Sequence, residues 1–290
     1  MKSQNKVLSH LILIAFASAL ALPVPFATAA QKEIQTESMT DYVLKRLVAR
    51  ENDAYERYEK ATTQEDIERI KNDLQLVVDG YEKLISENPS HPAALVSYGM
   101  MLHRIGERTA SAAMLIKADE LDSGLAIVKN QLANYQAEDG NYNEALGFYF
   151  LARDLEPAEP LYPYQIGNLM VAYRRFFIDD QTYTSQDIDA LIQDSFRNAA
   201  LLDPANKQYR MRYAQSFFDI NNPRWDLALD EWHKMQTLAE DDFEKQLIKL
   251  YTARVRYELE HKNAAEKLLD QIDHPGLAES KQELLEQFDY

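Results

Sequence analysis

The chain has no cysteine, which excludes disulfides, thiolate zinc sites, a cysteine nucleophile and the lipidated cysteine of a bacterial lipoprotein. Glycine and proline are scarce, eight and ten in 290 residues, and 46% of residues are apolar, a composition that buries a core rather than staying disordered. Basic residues are outnumbered: 31 Lys and Arg face 47 Asp and Glu, for a formal net charge of −16. Such a surface repels nucleic acid and anionic lipid headgroups, so no nucleic-acid partner is expected, while basic or neutral polypeptides remain open as partners. No nucleophile elbow, phosphate-cradling glycine loop or H-E-x-x-H is present. Outside the first residues the histidines are His91, His103, His233, His261 and His274, scattered without ligand spacing. Asp139, Asn141 and Asn143 have the look of a calcium loop, but Glu144 stands where that loop requires glycine. No catalytic residue, metal or cofactor is expected, and the chain reads as a nonenzyme.

What is present begins with a leader. Lys2 and Lys6 precede an apolar run over residues 7–22, Pro23 and Pro25 end it, and Ala27, Thr28 and Ala29 supply a small-residue cleavage pattern. Residues 1–29 therefore read as a secretory signal peptide, with a polar leader over 30–38. The alternative, an uncleaved membrane anchor, asks for a longer apolar run than this one. No later stretch approaches membrane length, so the expected setting is a bacterial periplasm, which an absence of disulfides fits.

Beyond the leader the chain is periodic. In residues 126–157, Leu132, Ala133, Gln136, Gly140, Tyr142, Ala145, Tyr149, Ala152 and Pro157 recur at the spacing of two antiparallel helices. Small residues stand where the helices meet, glycine closes the first helix and proline ends the second. Tyr98, Gly99, Leu102, Gly106, Ser111, Leu115 and Ala118 precede their counterparts by 34 residues throughout. This pattern resembles the tetratricopeptide repeat, a helix-turn-helix unit of about 34 residues. The resemblance implies an all-α fold: a right-handed α-α superhelical solenoid of five to six helical hairpins with a C-terminal capping helix.

Read along the chain, one solenoid domain over 39–290 divides into hairpins at 39–91, 92–125, 126–159, 160–206, 207–242 and 243–276, with a cap at 277–290. The first hairpin is degenerate, with Ser38 or Thr40 capping its opening helix and Ile67, Ile70, Leu74, Val77, Tyr81 and Leu84 lining one face of its second. The fourth carries an insertion of about 13 residues relative to the repeat period, near 173–186, with Thr184 or Ser185 capping the helix that follows. The fifth has two extra residues near Asn221 and Asn222. Acidic clusters at Asp119, Glu120 and Asp122, at Asp179 and Asp180, and at Glu240, Asp241 and Asp242 read as helix ends and solvated turns.

The resemblance also implies where binding occurs, since this family holds protein segments along a concave groove lined by the first helix of each hairpin. By register the groove positions are Val96, Met100, His103, Asn130, Asn134, Tyr164, Asn168, Met211, Arg212, Gln215 and Arg254. The amides of Asn130, Asn134, Asn168 and Gln215 offer donors and acceptors to an extended backbone. Tyr164, Met100 and Met211 offer adaptable apolar contact, and Arg212 and Arg254 offer charge to a carboxylate. The basic clamp with which some family members grip a terminal carboxylate is incomplete, with Val96 or Asn130 at its leading basic position. The insertion has two readings: a loop carrying a second site at Arg174, Arg175, Phe176, Phe177 and Tyr183, or an extension of the preceding helix in which Phe176 and Phe177 pack on the next hairpin. The function expected is a noncatalytic adaptor for an envelope complex that grips a protein or peptide segment. The alternative is a ligand-binding accessory protein of a transport system. The sequence leaves the oligomeric state open.

Overall fold

The computed structural model describes residues 38–288. The expected signal peptide, most of the expected leader and the last two residues of the cap lie outside the described residues. Among those residues there are helices and no strands, and they fall into two compact units, 38–135 and 136–288.

The first unit holds α1 (Met39–Lys60), α2 (Gln64–Glu87), α3 (Pro92–Arg104), α4 (Arg108–Leu121) and most of α5 (Ala126–Glu138). Helix starts follow from capping chemistry. Ser38 Oγ accepts from the Asp41 amide at 3.1 Å, Thr63 Oγ1 accepts from the Asp66 amide at 3.1 Å, and His91 Nδ1 accepts from the Ala94 amide at 3.2 Å, with Pro92 in the first turn. Ser38, not Thr40, is thus the cap of α1; Thr40 Oγ1 donates to Asn88 Oδ1. Gly106 ends α3 with φ 81°, and the Glu107 amide reaches back to the Leu102 carbonyl at 2.9 Å, closing the left-handed C-terminal turn that glycine permits. The apolar face of α2, with Ile70, Leu74, Val77, Tyr81 and Leu84, is buried together with Tyr98, Met101 and Leu102 of α3. Helices α3 and α4 meet at Gly99, where an added Cβ would lie 3.0 Å from the Leu115 side chain.

The second unit comprises the remainder of α5, then α6 (Tyr142–Leu155), α7 (Leu161–Ala172), α8 (Arg174–Asp179), α9 (Ser185–Leu202), α10 (Lys207–Ser216), α11 (Trp225–Gln236), α12 (Asp242–Glu258), α13 (Lys262–Leu269), a 3-10 turn (Pro275–Leu277) and α14 (Ala278–Phe288). Its hairpins are α7 with α9, α10 with α11, and α12 with α13. Close approach of α7 and α9 again needs glycine: a Cβ on Gly167 would stand 2.7 Å from the fully buried Phe196 ring. Ala214 and Ala253 fill the matching places on α10 and α12, both fully buried. Between α12 and α13 a non-glycine residue, Glu260, takes the left-handed turn with φ 62°, where the turns after α3 and α5 have Gly106 and Gly140. Helix α14 buries Leu284 and Phe288, and Phe288 stacks on Tyr257 at 3.9 Å.

The insertion follows the extended-helix reading, not the loop. Instead of a loop, residues 174–179 make a further helical turn and a half, and the chain reverses through Gln181 at φ 58°. A capping box of Thr184 and Asp187 then starts α9. Phe177 is fully buried. The guanidinium of Arg174 meets Asp189 at 2.5 Å, donates to Ser185 Oγ at 2.7 Å and donates to the Asp219 carbonyl at 3.2 Å. Apolar burial and one cation with partners on α9 and on the turn after α10 explain why this stretch holds a fixed shape.

Candidate functional site

In the first unit, the candidate positions lie on α3 and α5. Val96 and Asn130 are buried, and Met100, His103 and Asn134 are half-buried. Tyr135 Oη lies 3.1 Å from His103 Nδ1 and donates to the buried Ser111 Oγ at 2.8 Å. Gln131 Nε2 lies 3.4 Å from the same histidine nitrogen, and Asn134 Nδ2 donates to Gln131 Oε1 at 3.2 Å. These polar groups are knitted to one another. Asn130 departs from its expected place in an outward amide row: it is only 6% exposed, and its Oδ1 has no hydrogen-bond partner among the described residues. Helical register gave its face but not its depth.

In the second unit the candidate residues come from α7, α10 and α12, and two hydrogen bonds tie these helices side by side. Gln208 Nε2 donates to Tyr164 Oη at 3.0 Å, bridging α10 to α7. Gln215 Nε2 lies 3.4 Å from Tyr251 Oη, bridging α10 to α12. Tyr164 is buried, edge-on to Phe196 and Tyr209; burial pushes the Tyr209 hydroxyl up to about 12, so it remains a neutral wall. At the start of the same helices, Lys207 bridges Glu240 at 2.9 Å and Glu244 at 3.0 Å. Backbone donation from Glu240, then the Lys207 ammonium, hold the Glu244 carboxyl below its ordinary value. Asn168 and Met211 are half-buried, and the Asn168 amide makes no hydrogen bond among the described residues.

The two arginines, expected as equivalents, differ. Arg212 lies over the Phe196 ring at 4.1 Å and pairs with Asp219 at 2.7 Å, so its charge is met within the chain. Arg254 lies over Phe218 at 4.2 Å, and no Asp or Glu among the described residues comes within ion-pair distance of it. Around it stands an aromatic group: Phe218 is 5.3 Å from Trp225 and 6.0 Å from Tyr251, which stacks on Trp232 at 4.4 Å.

Of the insertion residues, Arg174 and Phe177 belong to the scaffold described above. Tyr183 stands edge-on to Phe177 at 5.9 Å, and Phe176 edge-on to Tyr142 at 4.9 Å. Arg175 projects outward, its side chain 94% exposed, 3.4 Å from Asp179. The five are not gathered around a common point.

Sequence reasoning missed Gln208, Phe218 and Tyr251. Tyr251 was within reach: it stands two residues before Ala253, as Arg212 stands two before Ala214. It also missed an open groove of about 600 Å³ between α9 and α11, floored by Phe217 and Ala190 and rimmed by Gln193, Asn221, Asn222 and Leu227. Its wall is fixed by Asn221, whose amide donates to Asp189 Oδ2 at 3.0 Å. The spacing of the second helices gave no sign of it, because it opens where the two extra residues widen a turn. No helix among the described residues is long and apolar enough to cross a membrane.

No family model matches the chain, and no curated protein matches it. Solved structures do. It is similar to YrrB, a TPR protein with an unusual peptide-binding site, at 18% identity and TM-score 0.56 over 71% of this chain and 99% of that one. Similarity to pilF of Pseudomonas aeruginosa covers 86% of this chain and all of that one, at 14% identity and TM-score 0.58. PilW, a widely conserved type IV pilus biogenesis factor, matches 83% of this chain with 98% of its own length, at 10% identity and TM-score 0.53. At such identities the likeness concerns the fold.

Proposed function

We propose that this chain, an all-α helical repeat with the tetratricopeptide fold, is a noncatalytic protein-interaction scaffold that holds an extended segment of a partner protein along the first helices of its hairpins. The observation that carries the reading is the face built by α7, α10 and α12. Gln208–Tyr164 and Gln215–Tyr251 brace the three helices, Asn168 makes no hydrogen bond and Arg254 meets no acid among the described residues, and Met211, packed at the edge of the core, is half-buried. Amides supply sequence-tolerant hydrogen bonds to a backbone, and methionine supplies adaptable apolar contact. YrrB, with the same fold, has a peptide-binding site, which supports the class of ligand.

The proposed setting is the bacterial periplasm, in the assembly of an envelope complex. Support comes from the signal-peptide pattern of residues 1–29, the absence of cysteine and the likeness to PilW, a pilus biogenesis factor. The accessory-protein alternative calls for an enclosed ligand cavity, and the groove between α9 and α11 is open-sided. Affinity capture from envelope extracts with the full chain should recover a stable partner that is lost on combining Asn168→Ala with Gln215→Ala. Recovery unchanged by that double variant would sink the first-helix face as the binding site.

A further inference from the structure

We infer that the groove between α9 and α11 is a second docking site, built on the second helices of the hairpins, and that it takes a basic segment of a partner protein with one apolar residue seated on Phe217. The site stands apart from the first-helix face and does not depend on it.

The groove is held open by the chain itself. Two extra residues near Asn221 and Asn222 widen the turn after α10 relative to the repeat, and side chains fix the widened turn to α9. Gln193 Nε2 donates to Ser216 Oγ at 2.8 Å, Asn221 Nδ2 donates to Ser185 Oγ at 2.7 Å, and the Asn221 backbone amide donates to Asp189 Oδ2 at 3.0 Å. Arg174 joins the same set through the Asp219 carbonyl at 3.2 Å. Walls fixed before binding spare a ligand the cost of ordering them.

The surface between those walls is apolar. Phe217 forms the floor, and Ala190 and Leu227 are exposed at its sides, Leu227 at 42%. The short side chain of Ala190 leaves room for an incoming one. The volume of about 600 Å³ is that of a small-ligand cleft, but the open side suits a polypeptide that inserts a side chain and keeps its backbone outside.

Charge then selects among polypeptides. Helices α9 and α11 carry six acids and two bases. Asp189 is met by Arg174, Asp226 by Arg224 at 2.6 Å and Glu231 by Lys234 at 2.6 Å, while Asp187 caps α9. Asp194 and Asp230 make no hydrogen bond or ion pair among the described residues. Asp194 lies one turn beyond Ala190 and Asp230 one turn beyond Leu227, so helical spacing sets one such acid along each wall. Lysine or arginine on either side of the apolar anchor answers them. The groove stops short of Leu201, which lies about 16 Å further along α9 than Ala190.

Calorimetric titration of the full chain tests the inference with three short peptides blocked at both ends: alternating lysine and leucine, alternating glutamate and leucine, and alternating lysine and serine. The lysine–leucine peptide is expected to bind about tenfold tighter than the lysine–serine one, the worth of burying one leucine side chain, and tighter again than the glutamate–leucine one. Ala190→Trp fills the groove from an exposed position and should weaken lysine–leucine binding about tenfold. Leu227→Ala only shortens an exposed side chain and should weaken it about threefold; it carries the test if circular dichroism shows that the tryptophan disturbs the fold. Asp194→Asn combined with Asp230→Asn should cost about threefold and flatten the salt dependence.

Lysine–leucine binding unchanged by both Ala190→Trp and Leu227→Ala, equal binding of the lysine–leucine and glutamate–leucine peptides, or no binding of any peptide overturns the inference. Self-association of the chain that Ala190→Trp abolishes, with no peptide bound, would assign the groove to a second copy and overturn it too.

Discussion

The two units treat the same repeat positions differently. In residues 38–135 the polar groups of the first helices turn toward one another: His103, Gln131, Asn134, Tyr135 and Ser111 form one hydrogen-bonded set, and Asn130 is buried. In residues 136–288 the corresponding positions bridge neighbouring helices through single bonds, and they leave the Asn168 amide without a hydrogen bond and the Arg254 guanidinium, stacked over Phe218, without an acid among the described residues. A repeat register therefore sets which way a residue faces, while burial and available partners decide whether it serves the fold or a ligand.

The largest expected effect tests whether the insertion of the second unit is scaffold. Phe177→Ala removes a fully buried ring and should cost about 3–5 kcal/mol in urea unfolding; a cost well below 1 kcal/mol would return the segment to the loop reading. Next comes the contrast itself. Tyr135→Phe strands the buried Ser111 hydroxyl and should cost about 1–3 kcal/mol, whereas Tyr164→Phe leaves a half-buried Gln208 amide that water can reach, for roughly 1 kcal/mol or less. Equal costs would mean that the two units do not differ in this respect.

A smaller and opposite change is expected at the last hairpin turn. Glu260→Gly relieves a side chain at φ 62° and should raise stability by about 1 kcal/mol. A thermal midpoint that stays or falls would show that the turn is held without strain.

The smallest effect concerns pH. Hydrogen bonding by Arg57 holds the Asp73 carboxyl below its ordinary value. Its contribution is therefore present above about pH 4 and is lost as pH falls through the lowered value. Glu51 opposes it. Buried with Tyr81 and Arg104 as partners at 3.0 Å, its carboxyl is raised by burial, so its contribution is full at low pH and is lost as pH rises through the raised value. Glu51→Gln should then steepen the loss of stability seen in urea titrations as pH falls from neutrality toward about pH 4, the side on which a raised glutamate takes up its proton; an unchanged slope would show that Glu51 does not titrate in this way.

Much of the fold was legible because its determinants are local. Gly99 and Gly167 mark close helix crossings, Gly106 marks a left-handed turn, and Ser38 and Thr184 mark helix starts; each acts on atoms within a few residues or on the facing helix of its own hairpin. What escaped the sequence depends on distant partners. Arg174 is fixed by Asp189 and by the Asp219 carbonyl, so the insertion becomes helical for reasons outside itself. Arg212 is answered by Asp219 beyond the end of its own helix, which no helical spacing announces. The residues of the candidate face were found by register; the difference between Arg212 and Arg254 needed coordinates.

The central claim is that a partner segment lies along α7, α10 and α12. The most direct measurement places the photoreactive residue p-benzoylphenylalanine at position 211, on α10 of that face, and separately at position 201, where Leu201 is 65% exposed on α9, and irradiates the full chain in envelope extracts. The account predicts a partner cross-linked from 211 and not from 201. A partner captured from 201 alone, or from both positions equally, would contradict it.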